Sequence, residues 1–568
     1  MILKDSKNLF TSTKTKFFEL VKQYGIILLV LIIAPYYVLI PLFEYETWPS
    51  GHDSMGTVFN ALEVVKTLRE DFHLPIIWQA DNAGLKGNPH WAFYQPLSFI
   101  VIYFTSALAS LFDNHYYVFS GMKVAVFLSF IISEVGMFFL LRKIFHASES
   151  KNLISLFGAI IYLFSPYRFI DLYSRNAYSE LWIFTWMPFY FLGFYKLFFL
   201  KEKNGWILIA LFTPVLFISH LMPSFFFIML IHLGFFVYLL IKRSLKTFLK
   251  ENKSTLIYWF IANVIGITAS LIYVIPANNA LKHLNGDIRG FDRVDLNTVL
   301  EHISWCYAFL DLSNSGERWQ AGQLFLISIA ILLFLFIAKR KIQLNNLAVF
   351  LICTLSITII LLLSKTAWQH LPPILYGLQF SWRLFLVYSF LCSIIMALLV
   401  NEFKVKIPFL ILIIILHFYS GAKFLHSAGE DMVHNNYNAE SWLNQLYREK
   451  YTVPNSHSPQ SVLLKTTEPI LFNFNYANEV GTNEKYSNNF ILNLKPGTEI
   501  LSHHRKGNTF LYDLALENPT FLIVKQYLYP SWELYIDGKK SKDLYLTDKG
   551  FIGFEVPRGN HHIKLRTN

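Results

Sequence analysis

The fold is decided by a stretch near the N-terminus, residues 24–56, which reads YGIILLVLIIAPYYVLIPLFEYETWPSGHDSMG. Residues 24–43 are almost entirely apolar, and about 20 such residues cross the roughly 30 Å hydrocarbon core of a bilayer. A polar segment, Gly51 to Gly56, follows this run. A carboxylate such as Asp53 is costly to keep beside a bilayer unless it has a partner or a task. The stretch therefore predicts a membrane-spanning helix that leads into a functional polar loop.

Composition extends this prediction to the whole chain. Of the 568 residues, 54% are hydrophobic and only 15% are charged. The net charge of +11 does not indicate nucleic-acid binding, because the Lys and Arg residues cluster in short loops between apolar runs, where positive charge sets membrane topology. The three cysteines, Cys306, Cys353 and Cys392, are scattered, and they predict neither a disulfide framework nor a metal site.

The apolar runs predict an all-α polytopic membrane bundle with about eleven transmembrane helices. The predicted spans are 24–43, 118–141, 153–167, 181–199, 205–219, 223–241, 255–275, 321–338, 346–364, 382–400 and 407–421. We expect the first span to be retained as a helix, because it is long and no small-residue cleavage site follows it. With the basic loops on the cytoplasmic side, the N-terminus lies inside and the chain after about residue 422 lies outside the cytoplasmic membrane.

Residues 91–112 break this alternation. They are long enough to cross, but a crossing here would invert the later basic loops, so we predict a juxtamembrane or re-entrant helix; a plain span is the alternative. Residues 55–70 predict a second surface helix, since apolar residues recur there at helical spacing. Two large outer loops result, 44–117 and 276–320, and the second is a candidate lid over the site.

The chain changes character after residue 421. Trp532 to Ile536 alternate polar and apolar residues, and Asp537-Gly538, a strong hairpin signal, follows them. A second strand pattern spans 551–556. We therefore predict two domains: a transmembrane domain at 1–421, and a β-rich extracytoplasmic domain at 422–568.

Two carboxylates are the candidate catalytic residues. Asp53 could take a proton from an acceptor hydroxyl or hold a metal ion, although capping the following helix is an equally ordinary role for Asp. Glu180 begins a predicted span five residues after Arg175; the alternative is a simple ion pair between them. Both carboxylates fall on the outer side of the predicted topology, which suggests one site at the membrane boundary.

Further candidates lie at the same predicted depth. His220 occupies an outer turn, and Arg383 stands at the outer start of a span, where it could clamp a lipid phosphate or merely snorkel to headgroups. Aromatic side chains near these loops could stack on sugars, or belong to the interfacial belt. No phosphate-binding Gly-rich loop, zinc spacing or serine elbow occurs in the sequence.

Several short motifs, in their order along the chain, carry a resemblance to known proteins. They are Gly51-His52-Asp53, Phe93-Tyr94-Gln95-Pro96-Leu97, Ser165-Pro166-Tyr167-Arg168, Arg175 through Glu180, Ser219-His220, Gln379-Phe380-Ser381-Trp382-Arg383, and Tyr529-Pro530-Ser531-Trp532 with Asp537-Gly538. The chain resembles the GT-C class of polytopic glycosyltransferases, and more closely the bacterial YfhO-like proteins and relatives known as 6-pyruvoyl-tetrahydropterin synthase-related membrane proteins. The histidine pattern of the soluble pterin synthase is absent from this sequence.

The resemblance implies transfer of a sugar from a polyprenyl-phosphate donor to a cell-envelope polymer or glycolipid, outside the cytoplasmic membrane. It implies Asp53 as the catalytic carboxylate, Glu180 as the second acidic group and Arg383 as a contact to the donor phosphate. His52, Arg175, Asn176, His220, Gln379 and Trp382 complete the expected substrate-binding set. Many relatives have two adjacent acidic residues in the first loop, whereas Asp53 is flanked by His52 and Ser54, so a divalent cation stays an open question.

Two other classes of function remain alternatives. A transporter or flippase for a lipid-linked precursor predicts charges deep inside spans and repeat-related halves. A non-catalytic envelope scaffold predicts a β domain that binds other proteins and a site whose mutation is silent. Ionisable residues at the outer rim favour the enzyme over transport.

Overall fold

The computed structural model describes most of the chain outside three long stretches near residues 1–24, 307–344 and 435–490. The described residues are 25–44, 48–49, 51–80, 87, 89–92, 94–112, 117–281, 296–306, 345–434, 491, 496–548 and 550–567. The predicted span 321–338 lies outside them, as do residues 282–295 and 307–320 of the predicted lid.

The described part of the chain before residue 435 is helical. The α-helices are α1 Gly25–Glu44, α2 Ser54–Glu70, α3 Leu97–Ala109, α4 Tyr117–Ile144, α5 Lys151–Leu163, α6 Pro166–Phe169, α7 Tyr178–Phe198, α8 Gly205–Ser219, α9 Leu221–Ile241, α10 Leu245–Glu251, α11 Lys253–Leu281, α12 Leu296–Cys306, α13 Asn346–Leu363, α14 Lys365–Gln369, α15 Phe385–Phe403 and α16 Ile407–His434. A π-helical turn spans Ile170–Arg175, and 3-10 turns span His90–Ala92, Pro373–Leu378 and Ser381–Leu384.

Six described helices are long and apolar enough to cross a membrane. They are Gly25–Glu44, Tyr117–Ile144, Leu221–Ile241, Lys253–Asn279, Asn346–Leu363 and Ser381–Phe403. A seventh crossing results if Lys151–Leu163 and Pro166–Arg175, which are bent by 43° at their junction, form one broken span. Side chains such as Ile26 and Ile272, which are 80% and 79% exposed, give these helices the apolar outer surface expected toward lipid. The polytopic helical fold is confirmed.

The predicted number of eleven spans is not reached within the described ranges. Gly205–Ser219 has only 15 residues and Ile407–Tyr419 falls among the shorter apolar helices. Tyr178–Phe198 is long enough but is not among the six. Its many aromatic residues, together with Thr185 and Lys196, lower its hydropathy below that of an aliphatic span.

The two helices expected in the first outer loop are present. Leu97–Ala109 has 13 residues, so it is about 20 Å long, short of the roughly 30 Å needed to cross. Its juxtamembrane placement stays a prediction. Ser54–Glu70 confirms the helix expected at 55–70, and its placement at the membrane surface stays a prediction. Residues on all its faces are buried and Arg69 alone among its described side chains is exposed, because α3 and α4 pack against it.

The C-terminal β-rich region is confirmed as two antiparallel sheets. One has the strand order β1-β2-β8-β4-β5 and the other β3-β7-β6. The strands are β1 Thr498–Lys506, β2 Thr509–Leu516, β3 Thr520–Tyr527, β4 Glu533–Ile536, β5 Lys539–Ser541, β6 Tyr545–Leu546, β7 Phe551–Val556 and β8 Gly559–Arg566. Asp537 and Gly538, with φ of 52° and 76°, form the predicted hairpin turn between β4 and β5. Because α16 continues to His434, the domain boundary at residue 422 stays a prediction.

The β domain is held to the first outer loop through Trp78. This residue is fully buried in the β-domain core, where its indole lies 5.4 Å from Trp532 and Nε1 donates to Gln526 Oε1 at 2.8 Å. Asn508 Nδ2 donates to the Trp78 carbonyl at 2.9 Å. The Gly507 amide donates to the Glu70 carboxylate at the end of α2. The helix that follows Asp53 is therefore fixed at both ends.

Candidate functional site

The polar segment Gly51 to Gly56 lies against a second polar stretch, Ser174 to Glu180. The His52 amide donates to the Ser174 carbonyl at 3.1 Å, and the Asp53 amide donates to the Arg175 carbonyl at 2.8 Å. One turn later, Thr57 Oγ1 donates to the Asn176 carbonyl at 3.0 Å. These backbone contacts bring the first outer loop to the segment that precedes α7.

Local sequence explains how the second stretch reaches this position. Pro166 supplies the fixed φ that suits a helix start. The backbone then widens into the π-helical turn Ile170–Arg175, a feature frequent at functional sites. Asn176 ends the turn in the left-handed conformation, with φ of 58°, and its side-chain oxygen accepts a hydrogen bond from Trp48 Nε1.

Gly51 is required by the close approach of the two stretches. A Cβ atom added there would lie 2.7 Å from the Ser174 carbonyl oxygen and would also overlap the Asn176 side chain. Ser54 stabilises the same turn, because its hydroxyl donates to the Gly51 carbonyl at 2.9 Å. A side chain at position 51 would force the loops apart.

Glu180, in the first turn of α7, is the centre of a buried charged cluster. Arg175 donates to both carboxylate oxygens of Glu180, at 2.9 and 3.0 Å, and Arg383 Nε donates at 2.8 Å. The Tyr167 hydroxyl adds a fourth bond at 3.1 Å, and Arg175 also pairs with Asp171 at 2.6 Å. Two guanidinium groups thus face two carboxylates, and Glu180 is only 1% exposed.

Arg383 connects this cluster to the predicted outer loop before α15. Its Nη1 donates to the Leu378 carbonyl and to Gln379 Oε1, both at 2.9 Å. Trp382 stacks on Phe380, with ring centroids 4.5 Å apart and planes within 5°. Arg383 therefore already bonds protein groups through Nε and Nη1.

His220 lies between α8 and α9 and interacts electrostatically with Arg383, Glu180 and Arg175 of the same cluster. Burial lowers the pKa of its imidazole to about 3, and the charge of Arg383 adds to this effect. The ring is thus neutral at physiological pH. Its buried Nδ1 has no hydrogen-bond partner among the described residues. A neutral imidazole with an open nitrogen can exchange a hydrogen bond with a polar ligand.

Asp53 differs from Glu180 in its exposure. Its side chain is exposed, as is that of His52. Asp53 stands at the N-cap position of α2 but makes no capping hydrogen bond with its side chain, so the capping alternative is not supported. The structure presents Asp53 to solvent on a backbone anchored beside the buried cluster.

Two further charged side chains lie in the segment that leads to Arg175. Arg168 and Asp171 are fully buried within the helical segment 166–175. Arg168 lies over the Phe130 ring, 3.7 Å from its centroid, and donates to the Ser129 carbonyl at 3.3 Å. Tyr167 and Trp48 belong to the site, but the sequence did not predict them as site residues. The ion pair between Asp171 and Arg175 could have been predicted from their four-residue spacing on a helix.

Within the described ranges, no group of three or more His, Cys, Asp or Glu side chains is arranged to hold a metal ion. The divalent cation therefore stays an open question.

A protein-family model described as "6-pyruvoyl-tetrahydropterin synthase related domain; membrane protein" matches residues 91–426, more than half of the chain. The chain belongs to this family. It is accordingly a multi-pass membrane protein, while its orientation stays a prediction. No curated protein matches the chain.

The extent of the family match divides the candidate site. Glu180, His220 and Arg383 fall inside residues 91–426, whereas Asp53 and the β domain fall outside. The buried cluster thus lies within the part of the chain that the family model covers, and the exposed carboxylate lies in the segment before it. The family name describes a relation in sequence and assigns no activity to this protein.

Proposed function

We propose that the protein is a GT-C-type glycosyltransferase that moves a sugar from a polyprenyl-phosphate donor to a cell-envelope polymer or glycolipid at the outer face of the cytoplasmic membrane. The observation that carries the proposal is the exposed Asp53 carboxylate, whose backbone is bonded to Arg175 beside the buried cluster. A polyprenyl phosphate keeps its tail in lipid and its headgroup at the interface, which is the depth predicted for these residues.

In this mechanism Asp53 accepts the proton of an acceptor hydroxyl as that oxygen attacks the anomeric carbon. The bond from the sugar to phosphate breaks, and the polyprenyl phosphate leaves with the electron pair. His220, neutral and with an open nitrogen, is placed to bind a sugar or acceptor hydroxyl. His52, exposed next to Asp53, is a further contact on the same loop.

Glu180 is a positioning residue in this proposal and not a second base. Both of its oxygens already accept hydrogen bonds, and two arginines favour its charged form. Asn176, Gln379 and Trp382 hold the loops around the cluster. Arg383 can contact the donor phosphate only by exchanging bonds that it makes to Leu378 or Gln379, or with a donor atom that these bonds leave open.

The test is mass spectrometry of envelope glycans from cells with the wild type, a gene deletion, Asp53→Ala or Asp71→Ala at matched protein levels. Asp71, also in the first outer loop and 44% exposed, is the matched control. We expect one sugar substituent to disappear in the deletion and in Asp53→Ala but to persist in Asp71→Ala. Persistence in Asp53→Ala would remove Asp53 as the base and with it the enzymatic proposal.

One observation favours transport of a lipid-linked precursor as the second candidate. Glu134 lies ten residues before the end of α4, about 15 Å from that end and near mid-membrane depth. It is fully buried, and neither of its oxygens has a hydrogen-bond partner among the described residues. Arg168, equally buried, lies near enough for an electrostatic interaction with Glu134. Ionisable residues at this depth mark substrate or proton pathways in transporters.

Glu134→Gln separates the two candidates in the same glycan assay. A transporter requires the intramembrane carboxylate, so decoration would be lost in Glu134→Gln and kept in Asp53→Ala. If the protein is an enzyme in which Glu134 is structural, decoration would be kept in Glu134→Gln and lost in Asp53→Ala.

A further inference from the structure

A basic cavity lies at the opposite end of α7 from the candidate site. Its volume is about 430 Å³, and it is lined by four cationic side chains: Arg142, Lys143, Lys151 and Lys196. They come from the end of α4, the start of α5 and the end of α7. Glu180 and Lys196 are 16 residues apart on one helix, which is about 24 Å at 1.5 Å per residue. The two sites therefore lie at opposite ends of α7, which the predicted topology assigns to opposite membrane boundaries.

The charges around this cavity do not balance. The lining contains no carboxylate. Glu202, beside it, pairs with Lys143 at 2.6 Å and with Lys196 at 3.4 Å, so one carboxylate is shared by two ammonium groups. Lys196 is only 18% exposed. An excess of positive charge that is partly withdrawn from water favours the binding of an anion.

The rest of the lining consists of His146 and two apolar side chains. Phe139, which is 47% exposed, and Leu192 line the cavity on the side of the bundle surface. They lie one turn before Lys143 and Lys196 on the same two helices, toward the membrane interior. The cavity thus combines cations at the boundary with apolar contacts immediately below them, which is the pattern of a lipid with an anionic headgroup.

We propose that this cavity binds the phosphate headgroup of an anionic phospholipid. The basic residues would also be expected here if they only set topology, because that rule requires positive charge in the loop. It does not require four cations from three helices to converge on one cavity. Each Lys or Arg near an anionic membrane surface strengthens binding to that surface about fivefold.

The experiment titrates the purified full-length protein in neutral detergent with phosphatidylglycerol or phosphatidylcholine and counts bound lipid by native mass spectrometry. The test variant is Lys151→Gln with Lys196→Gln. The control is Lys246→Gln with Lys250→Gln, which removes the same charge from two exposed residues of α10. We expect phosphatidylglycerol to bind about 25-fold more weakly to the test variant and within twofold of wild type to the control.

Two further variants keep the result interpretable. Lys151→Arg retains the charge and should bind like wild type, whereas Glu202→Gln releases two ammonium groups and should bind phosphatidylglycerol more tightly. Equal binding of both lipids to the wild type, or equal weakening in test and control variants, would overturn the proposal in favour of topology alone. Displacement of phosphatidylglycerol by an equal concentration of inorganic phosphate would assign a free-phosphate site and overturn the lipid assignment.

Discussion

Replacement of Glu180 by Gln removes the charge at the centre of the buried cluster. The side chain keeps its shape, but Arg175 and Arg383 lose the carboxylate that both contact, while Asp171 still pairs with Arg175. Breaking a buried ion pair from one side costs about 3–5 kcal/mol, because the partner charge stays buried. The 1% exposure of Glu180 places this pair in that class. We therefore expect Glu180→Gln to lower the free energy of unfolding by about 4 kcal/mol.

The assay is reversible unfolding in mixed micelles with increasing SDS, followed by tryptophan fluorescence. Asp53→Asn is the control, since it removes an exposed carboxylate anchored to the same segment, and it should change the free energy by less than about 0.5 kcal/mol. Arg383→Gln should cost less in the Glu180→Gln background than alone, because the two side chains are in contact. A loss below about 1 kcal/mol for Glu180→Gln would refute the reasoning from burial.

Three further predictions follow from particular contacts. Gly51→Ala should destabilise the protein by about 1–3 kcal/mol in the same unfolding assay, because the new Cβ meets the Ser174 carbonyl. Trp78→Ala should remove about 3–5 kcal/mol from β-domain docking and lower hydrogen-exchange protection of β3, whereas Trp78→Phe, which loses mainly the bond to Gln526, should cost about 1 kcal/mol. Bonds from Lys540 and Arg566 lower the pKa of Glu533 to about 2, so the stability difference between wild type and Glu533→Gln should be constant from neutral pH to about 5 and vanish as pH falls toward 2.

The sequence predicted those features that depend on local signals. Hydrophobic run length identified the six candidate spans among the described helices, Asp537-Gly538 identified a hairpin with two residues of positive φ, and helical periodicity identified α2. Charge alternation between loops placed Asp53, Glu180 and Arg383 on one side, and the backbone bonds from Asp53 to Arg175 and the Glu180–Arg383 pair are in keeping with that placement. These signals extend over one turn or one span and need no knowledge of distant partners.

The errors and omissions arise where distant segments determine the environment. Trp78 bonds a residue 448 positions away, and no local pattern predicts that it enters the β-domain core. Arg168 lies just beyond the predicted span 153–167, but α6 and the π-helical turn continue the segment, and Arg168 is buried against Phe130. Burial of α2 likewise results from the packing of α3 and α4 against it. The apolar residues of α2 alone do not predict that packing.

The different burial of the two candidate carboxylates is the main constraint on any mechanism for this protein. A base must release the proton that it takes, which favours a carboxylate that water and substrate can reach, and Asp53 is exposed. A group that holds two loops in register must keep its charge, and Glu180 does so because two arginines and a tyrosine surround it. The hydrogen bond from the Asp53 amide to the Arg175 carbonyl joins the two, so strain in the buried cluster would move the exposed carboxylate. Loss of activity in a Glu180 variant is therefore evidence for chemistry at Glu180 only if Asp53 has kept its position, and the charge-preserving Glu180→Asp tests the positioning role through its effect on unfolding and activity together.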